Sequence, residues 1–216
     1  MNNNKNATNL FLISAFGLFL ELVLIRWLAS EIRIFAYFKN FPLLAAVMGL
    51  GLGCYIADKR PIRWSITAVS LSIIGSICAL SSKLRLTDIF FPDPALYYFR
   101  GSITSPNILR QIHGYPILGE LSDMISNEIM LVLIGIISFS LIIGLFILAT
   151  AIFYPIGQET GRLIGKHKPL YAYSINIGGA LFGSVFFTLV SYLETGPIIW
   201  LLPCFILLFY FCWIHN

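Results

Sequence analysis

The sequence predicts an all-α fold, a polytopic transmembrane helix bundle of about six spans with one long, partly interfacial loop. Two observations lead to this prediction. The chain of 216 residues is 58% hydrophobic and only 11% charged, with a mean hydropathy of +0.85, whereas a soluble domain carries about 25% charged residues. The apolar residues also fall into long runs, close to the ~20 residues that cross a bilayer. Both observations place the chain among integral membrane proteins.

The apolar runs predict the order of the spans within a single transmembrane domain, residues 1–216. Given the length that a bilayer requires, they lie at about residues 9–29, 36–57, 64–82, 129–154, 171–193 and 197–214. We expect Pro155 to close the fourth span, because proline interrupts a helix. Residues 83–128 form the long loop. Its aromatic residues are typical of a segment that lies partly on the membrane surface.

Basic residues predict the side on which the termini lie. An even number of spans places both termini on one side of the membrane. Seven Lys and Arg residues belong to that side, near the N-terminus or in its two short loops: Lys5, Lys59, Arg60, Arg63, Arg162, Lys166 and Lys168. The other side also holds seven, four of them in the long loop. Short loops beside span ends weigh most in the positive-inside rule, so we expect both termini in the cytoplasm.

The first span is the most informative for function, because Glu21 and Arg26 lie within its apolar run. An ionisable group at membrane depth costs about 2.5–3.5 kcal/mol on insertion scales, so it is expected to have a partner or a task. At about 100° per residue, the two side chains point about 140° apart and make a poor pair. Glu21 therefore requires a partner from another span, a proton or water. Arg26 shares a polar stripe with Ser30 and Arg33 if the helix continues that far.

Asn176 in the fifth span completes a candidate intramembrane polar site, which consists of Glu21, Arg26, Arg33 and Asn176. Its amide lies near the small-residue face of its helix and could hydrogen-bond a neighbour such as Glu21. Two interpretations stay open. In the first, these residues form a transport or substrate site. In the second they are structural, and bond to other helices or extend their charged groups to the membrane surface.

Two pairs of glycines predict close helix packing. Gly49 and Gly53 lie in the second span, and Gly179 and Gly183 lie in the fifth. Small residues four positions apart let two helix backbones approach each other. The glycine string around Gly49 lies inside an apolar span and not between a strand and a helix, which excludes a nucleotide-binding loop.

Known catalytic and metal-binding patterns do not occur in the sequence. There is no GxSxG or HExxH motif, and the four cysteines and three histidines lack the spacing of metal ligands. The basic residues form no stripe of the kind that binds nucleic acid. We therefore expect no metal, no cofactor, no nucleic-acid partner and no catalysis by this chain alone.

Two long stretches resemble a known family. The segment Leu20–Arg60, LELVLIRWLASEIRIFAYFKNFPLLAAVMGLGLGCYIADKR, is similar to the opening helices of multi-pass bacterial proteins identified as spermidine-synthase-like. The segment Lys168–Trp200, KPLYAYSINIGGALFGSVFFTLVSYLETGPIIW, resembles the helix pair before their soluble domain, and GRLIGKHKP fits the preceding loop. In that family a cytoplasmic aminopropyltransferase-like domain, which binds an S-adenosylmethionine derivative, follows the bundle. The residues of that cofactor site have no counterpart here.

The resemblance implies a bacterial inner-membrane protein that acts with a separately encoded partner. We expect this partner to be an aminopropyltransferase-like or other membrane-associated protein. The chain would anchor it or pass it a small cationic or lipid-like substrate. The alternative is a small transporter or channel, formed by a homo-oligomer, with Glu21, Arg26 and Asn176 along its path. Membrane lipids are expected to surround the chain in either case.

Overall fold

The structure, a computed structural model, describes residues 2–31, 40–84, 127–194 and 196–215. Every regular element within these residues is a helix, which confirms the predicted all-α fold class. In chain order the helices are α1 (Asn2–Glu31), α2 (Asn40–Ile56), α3 (Trp64–Leu84), α4 (Asn127–Gly165), α5 (Pro169–Tyr192) and α6 (Pro197–His215). Arg33 and residues 85–126 of the predicted long loop lie outside the described residues.

Helix α4 is longer than the sequence indicated. It passes through Pro155 and continues to Gly165, although Pro155 was expected to close it. Proline has no N–H to donate to the carbonyl of Ala151, which costs about 3 kcal/mol in an isolated helix. The cost is tolerated where neighbouring helices pack around the position, and Pro155 is buried. The residues after Pro155 are therefore helical and carry side chains into the bundle.

Three helices in the described part of the chain are long and apolar enough to cross a membrane. Their qualifying segments are Asn4–Glu31 of α1, Phe139–Gly165 of α4 and Pro169–Tyr192 of α5, and α2, α3 and α6 are shorter apolar helices. Helix α1 is the most deeply buried of the three long ones. It also provides more buried apolar residues than any other described helix.

The chain forms two compact units. The first comprises Met1–Trp27, Lys39–Ile74 and Phe146–Asn216, and the second comprises Leu28–Phe38 and Gly75–Leu145. The described residues of the second unit belong to helices, as continuations of α1, α3 and α4.

Helices α1 and α5 run parallel and in backbone contact. A Cβ atom added at Gly179 would meet the carbonyl oxygen of Phe11, and one added at Gly183 would meet the carbonyl oxygen of Ala15. From the first contact to the second, the position moves four residues toward the C-terminus in both helices, so the two helices run in the same direction. Only glycine permits this separation, because any larger residue would collide with the backbone of α1.

Helices α2 and α4 form a second parallel pair of the same kind. A Cβ atom added at Gly49 would meet the carbonyl oxygen of Thr150, and one added at Gly53 would meet that of Tyr154. Gly157 of α4 makes the reciprocal contact with α2. A Cβ atom added at Gly157 would lie 2.8 Å from Cα of Leu50. Glycines from both helices therefore line this contact.

Other contacts bring one end of each helix together. Near the end of α6, the Tyr210 hydroxyl donates to Asn9 Oδ1 at 3.1 Å, close to the start of α1. Trp64 begins α3 and stacks on Phe211 of α6, with ring centroids 5.2 Å apart. Near the end of α4, Arg162 donates to carbonyls of the loop between α2 and α3. Helix α4 therefore runs antiparallel to α1 and α3.

We call this end of the first unit the basic end. It holds the starts of α1, α3 and α5, the ends of α2, α4 and α6, and the two short loops. Its basic residues are Lys5, Lys59, Arg60, Arg63, Arg162, Lys166 and Lys168.

The α2–α4 contact predicts unequal effects at two neighbouring glycines. Gly53→Ala would place Cβ 2.7 Å from the backbone nitrogen of Gln158, whereas Cβ at Gly51 would meet nothing within 4 Å. We expect Gly53→Ala to destabilise the protein by about 1–3 kcal/mol, as overpacking does. Gly51→Ala should be neutral or slightly stabilising, because alanine favours helix. Thermal unfolding in detergent measures the stability of both variants. Equal melting temperatures for Gly53→Ala and Gly51→Ala would contradict the close contact at Gly53.

Candidate functional site

Buried polar side chains mark the candidate site, because such groups are costly unless they are hydrogen-bonded or charge-paired. Among the described residues, the buried polar or charged side chains are Ser14, Glu21, Thr67, Ser70, Gln158 and Glu159. All of them belong to the first unit. They come from α1, α3 and α4, the helices that also supply most of the apolar core.

Glu21 is the carboxylate on the most buried helix. Its side chain is only 8% exposed, and Leu20 and Leu24 beside it are fully buried. Within the described residues Glu21 forms no hydrogen bond or ion pair. A bare carboxylate in such surroundings is strongly disfavoured, so this group is suited to hold a proton or another cation.

Arg26 lies elsewhere on α1. Its side chain is exposed, and its guanidinium carbon lies 4.9 Å from the ring centroid of Trp200 on α6. A cation–π contact of this kind contributes about 0.5–1 kcal/mol at an exposed site. The different burial of Glu21 and Arg26 fits the angle of about 140° between them on the helix. Arg26 therefore pairs with α6 and not with Glu21.

Asn176 meets α1 at Ser14, not at Glu21. The Ser14 hydroxyl lies 2.7 Å from Asn176 Oδ1 and 2.7 Å from the carbonyl oxygen of Leu10, and its single proton serves one acceptor at a time. Ser14 precedes Glu21 by about two turns of α1. Asn176 therefore belongs to the α1–α5 contact beside Gly179. The structure does not bring it together with Glu21 or Arg26, and Arg33 lies outside the described residues.

Two buried hydroxyl groups on α3 were not identified from the sequence. Thr67 is fully buried and Ser70 is 5% exposed. The Thr67 hydroxyl donates to the carbonyl oxygen of Ile152 on α4 at 2.9 Å. Serine and threonine occur throughout the apolar run of α3, and nothing in their spacing separates these two from the exposed ones.

The end of α4 carries two further buried polar residues that sequence reasoning missed. Gln158 is fully buried, and neither its Oε1 nor its Nε2 has a hydrogen-bond partner within the described residues. Glu159 beside it is 5% exposed. Both follow Pro155, where the sequence predicted that the span would end. No local signal marks them, because Pro155, Gly157 and Gly161 around these residues all disfavour a helix.

Arg162 fixes this part of α4 to the basic end. Its Nε donates to the carbonyl oxygen of Ala57 at 2.5 Å, and one of its terminal nitrogens donates to the carbonyl oxygen of Arg60. Hydrogen bonds from a charged group are worth about 1.5–3 kcal/mol each. The guanidinium therefore holds the loop between α2 and α3 against α4.

The buried polar side chains offer oxygen atoms as ligands. Two carboxylates, three hydroxyl groups and one amide suit a proton, an ammonium group or another hard cation. Within the described ranges, no three His, Cys, Asp or Glu side chains are grouped so that they could hold a metal ion. No known protein family, curated protein or solved structure matches this chain.

The Ser14–Asn176 contact predicts a measurable coupling. Ser14→Ala and Asn176→Ala should each destabilise the protein, and the double variant should lose less than the sum. The expected coupling is about 0.5–1.5 kcal/mol, the range of hydrogen bonds between membrane helices. Thermal unfolding of the unchanged protein, the two single variants and the double variant measures this coupling energy. The pair Asn176→Ala and Glu21→Gln is the control and should be additive, and coupling there would contradict the separation of these two residues.

Proposed function

We propose that this chain is an integral membrane helix bundle that passes a small cation through its interior, with Glu21 as the binding group. The cation is a proton or a small organic ammonium ion. The bundle acts with a partner protein that consumes or supplies this cation. The single observation behind the proposal is Glu21 itself, a carboxylate that is 8% exposed on the most buried helix.

The outer surface supports membrane insertion. Large apolar side chains are exposed along α5 and α6, for example Leu181 at 63%, Phe209 at 67% and Trp213 at 75%. Soluble monomers rarely expose contiguous apolar patches larger than a few hundred Å². The interior is mostly apolar as well, but six polar side chains among the described residues are buried within it. A bundle that keeps its few polar side chains inside is suited to hold a polar solute within lipid.

The basic end supports an orientation. Both short loops and the start of α1 bring Lys and Arg residues to that end. Positive charge near span ends favours the cytoplasmic side. We therefore propose that the basic end faces the cytoplasm.

The partner in this proposal follows from the resemblance of Leu20–Arg60 and Lys168–Trp200 to the membrane part of spermidine-synthase-like proteins. In those proteins a soluble enzyme adjoins the bundle on the cytoplasmic side. A separate enzyme of the same class, whose substrates are amines, would dock at the basic end. Purification from native membranes followed by mass spectrometry tests for such a protein.

Membrane insertion predicts resistance to alkaline extraction. Carbonate at high pH removes proteins held at the membrane surface by charge and leaves inserted helices in the lipid. We expect the protein to stay in the membrane pellet after this treatment, measured by immunoblot. Its appearance in the supernatant would exclude an inserted bundle. A peripheral membrane protein from the same cells is the control for complete extraction.

Glu21→Gln tests the cation path. We expect it to lower flux into proteoliposomes by at least about tenfold, which corresponds to about 1.4 kcal/mol of lost cation stabilisation. Two probes are used: proton entry reported by a trapped pH-sensitive dye, and uptake of labelled putrescine, a small diamine. The control is Glu31→Gln, at the end of the same helix. Unchanged flux of both probes in Glu21→Gln would reject the proposed function.

A further inference from the structure

Gln158 carries two buried side-chain atoms without a hydrogen-bond partner, more than any other residue that the structure describes. The residue is fully buried, and the unpartnered atoms are Oε1 and Nε2 of its amide. An amide that is buried in this way loses the hydrogen bonds that water would give it and gains none in exchange. The arrangement that encloses Gln158 is therefore opposed by the side chain that it encloses.

Gln158 does not lie on the face of α4 that meets α1. That contact is made by Ile156, whose Cγ2 would lie 3.4 Å from a Cβ atom added at Gly17. Gln158 follows Ile156 by two residues, so the two side chains point about 160° apart. On its own side, Gln158 borders α2, because a Cβ atom added at Gly53 would lie 2.7 Å from the backbone nitrogen of Gln158.

Arg162 brings the α2–α3 loop across the same side of α4. It follows Gln158 by four residues, about 40° around the helix and about 6 Å toward the basic end. Its guanidinium donates to the carbonyl oxygen of Ala57, where the loop begins, and to that of Arg60 in the middle of the loop. The loop therefore crosses α4 about one turn beyond Gln158.

The loop returns to α3 close to the level of Gln158. Thr67 of α3 donates to the carbonyl oxygen of Ile152, and Gln158 lies about 9 Å from Ile152 toward the basic end. Because α3 is antiparallel to α4, Trp64 lies about 4.5 Å from Thr67 in that same direction. The start of α3 is therefore within about one turn of the level of Gln158, and the loop closes the space between α2 and α3.

The loop itself is held by few contacts. Residues 58–61 and Arg63 are exposed, so little apolar burial fixes them in place. Among the described residues, Arg162 is the side chain that hydrogen-bonds this loop. Ala57 differs, because its Cβ atom would lie 3.0 Å from a Cβ atom added at Gly161, which keeps it packed on α4. The part of the loop that can move is therefore residues 58–63, which we call the lid.

We propose that the lid opens at the basic end and admits water to the amide of Gln158. Two opposing effects set its position. The hydrogen bond from the charged Arg162 to the carbonyl oxygen of Arg60 holds the lid closed, and hydration of Gln158 favours the open state. The bond from Arg162 to Ala57 is kept in both states, because α2 remains packed on α4. The lid is a property of the fold and does not depend on the proposed function.

Hydrogen exchange of the backbone amides of residues 57–66 measures opening of the lid. This segment includes the Lys59 N–H, which donates to the carbonyl oxygen of Ile56 at 2.9 Å. We expect Arg162→Gln to speed exchange at least about tenfold and Gln158→Leu to slow it about tenfold, each a change of about 1.4 kcal/mol in the opening equilibrium. Lys166→Gln removes an exposed charge one turn after Arg162. It is the matched control and should leave exchange unchanged.

Labelling of a cysteine at position 158 measures whether water reaches the site. Gln158→Cys is made in a protein whose four native cysteines are replaced by alanine, and a charged methanethiosulfonate reagent is added in detergent. We expect Arg162→Gln to speed labelling at least about tenfold, whereas Lys166→Gln should not change it.

Three outcomes would overturn the lid. Unchanged exchange and labelling in Arg162→Gln would show that Arg162 does not hold residues 58–63 closed. Slower exchange in Gln158→Leu at residues 166–168 as well as at residues 57–66 would show that the substitution stabilises the whole fold. Should Arg162→Gln fail to fold, Gln158→Leu decides, since it replaces an unpartnered amide by an apolar side chain of similar size. Unchanged exchange at residues 57–66 in that variant would reject the proposal.

Discussion

The contact of helix backbones through glycine is the constraint on which the rest of the structure depends. Helices whose backbones touch gain van der Waals contact along the whole of that contact. Gly179 and Gly183 set α5 directly on α1, and Gly49 and Gly53 set α2 directly on α4. Helix α1 also meets α4 at Gly17, and it is the most buried of the three long helices although it carries a glutamate.

Much of the fold follows from the sequence, because uncharged runs of sufficient length and their separating charges determine six helices. Pro155 misled the prediction, since its effect depends on whether neighbours pack around it. The glycine pairs indicated close packing, yet a spacing of four cannot name the partner helix. The partner of Asn176 could not be predicted for the same reason. Its place beside the glycines indicates a hydrogen bond to the neighbouring helix, but only the register of α5 on α1 determines that the partner is Ser14 and not Glu21.

The interior residues were harder to predict, for a physical reason. Glu21 stands out because charge within an apolar run is rare. Glu159 does not, since it lies among polar residues near a helix end, where a glutamate is ordinarily solvated. Its burial requires that α4 extends beyond Pro155, as it does in the structure. Tertiary contacts, and not local composition, turn a surface-like segment into core.

Pro155 has a mechanical consequence. The missing N–H leaves the carbonyl of Ala151 without its usual intrahelical donor, and helices bend most readily at such points. Glu159 and Arg162 follow Pro155 in α4. Ile152, whose carbonyl oxygen accepts the hydrogen bond from Thr67, precedes it. A force applied to the α2–α3 loop reaches the terminal segment of α4 through Arg162. The close contacts at Gly53, Gly157 and Gly161 hold that segment against α2, so the end of α4 and the end of α2 would move together.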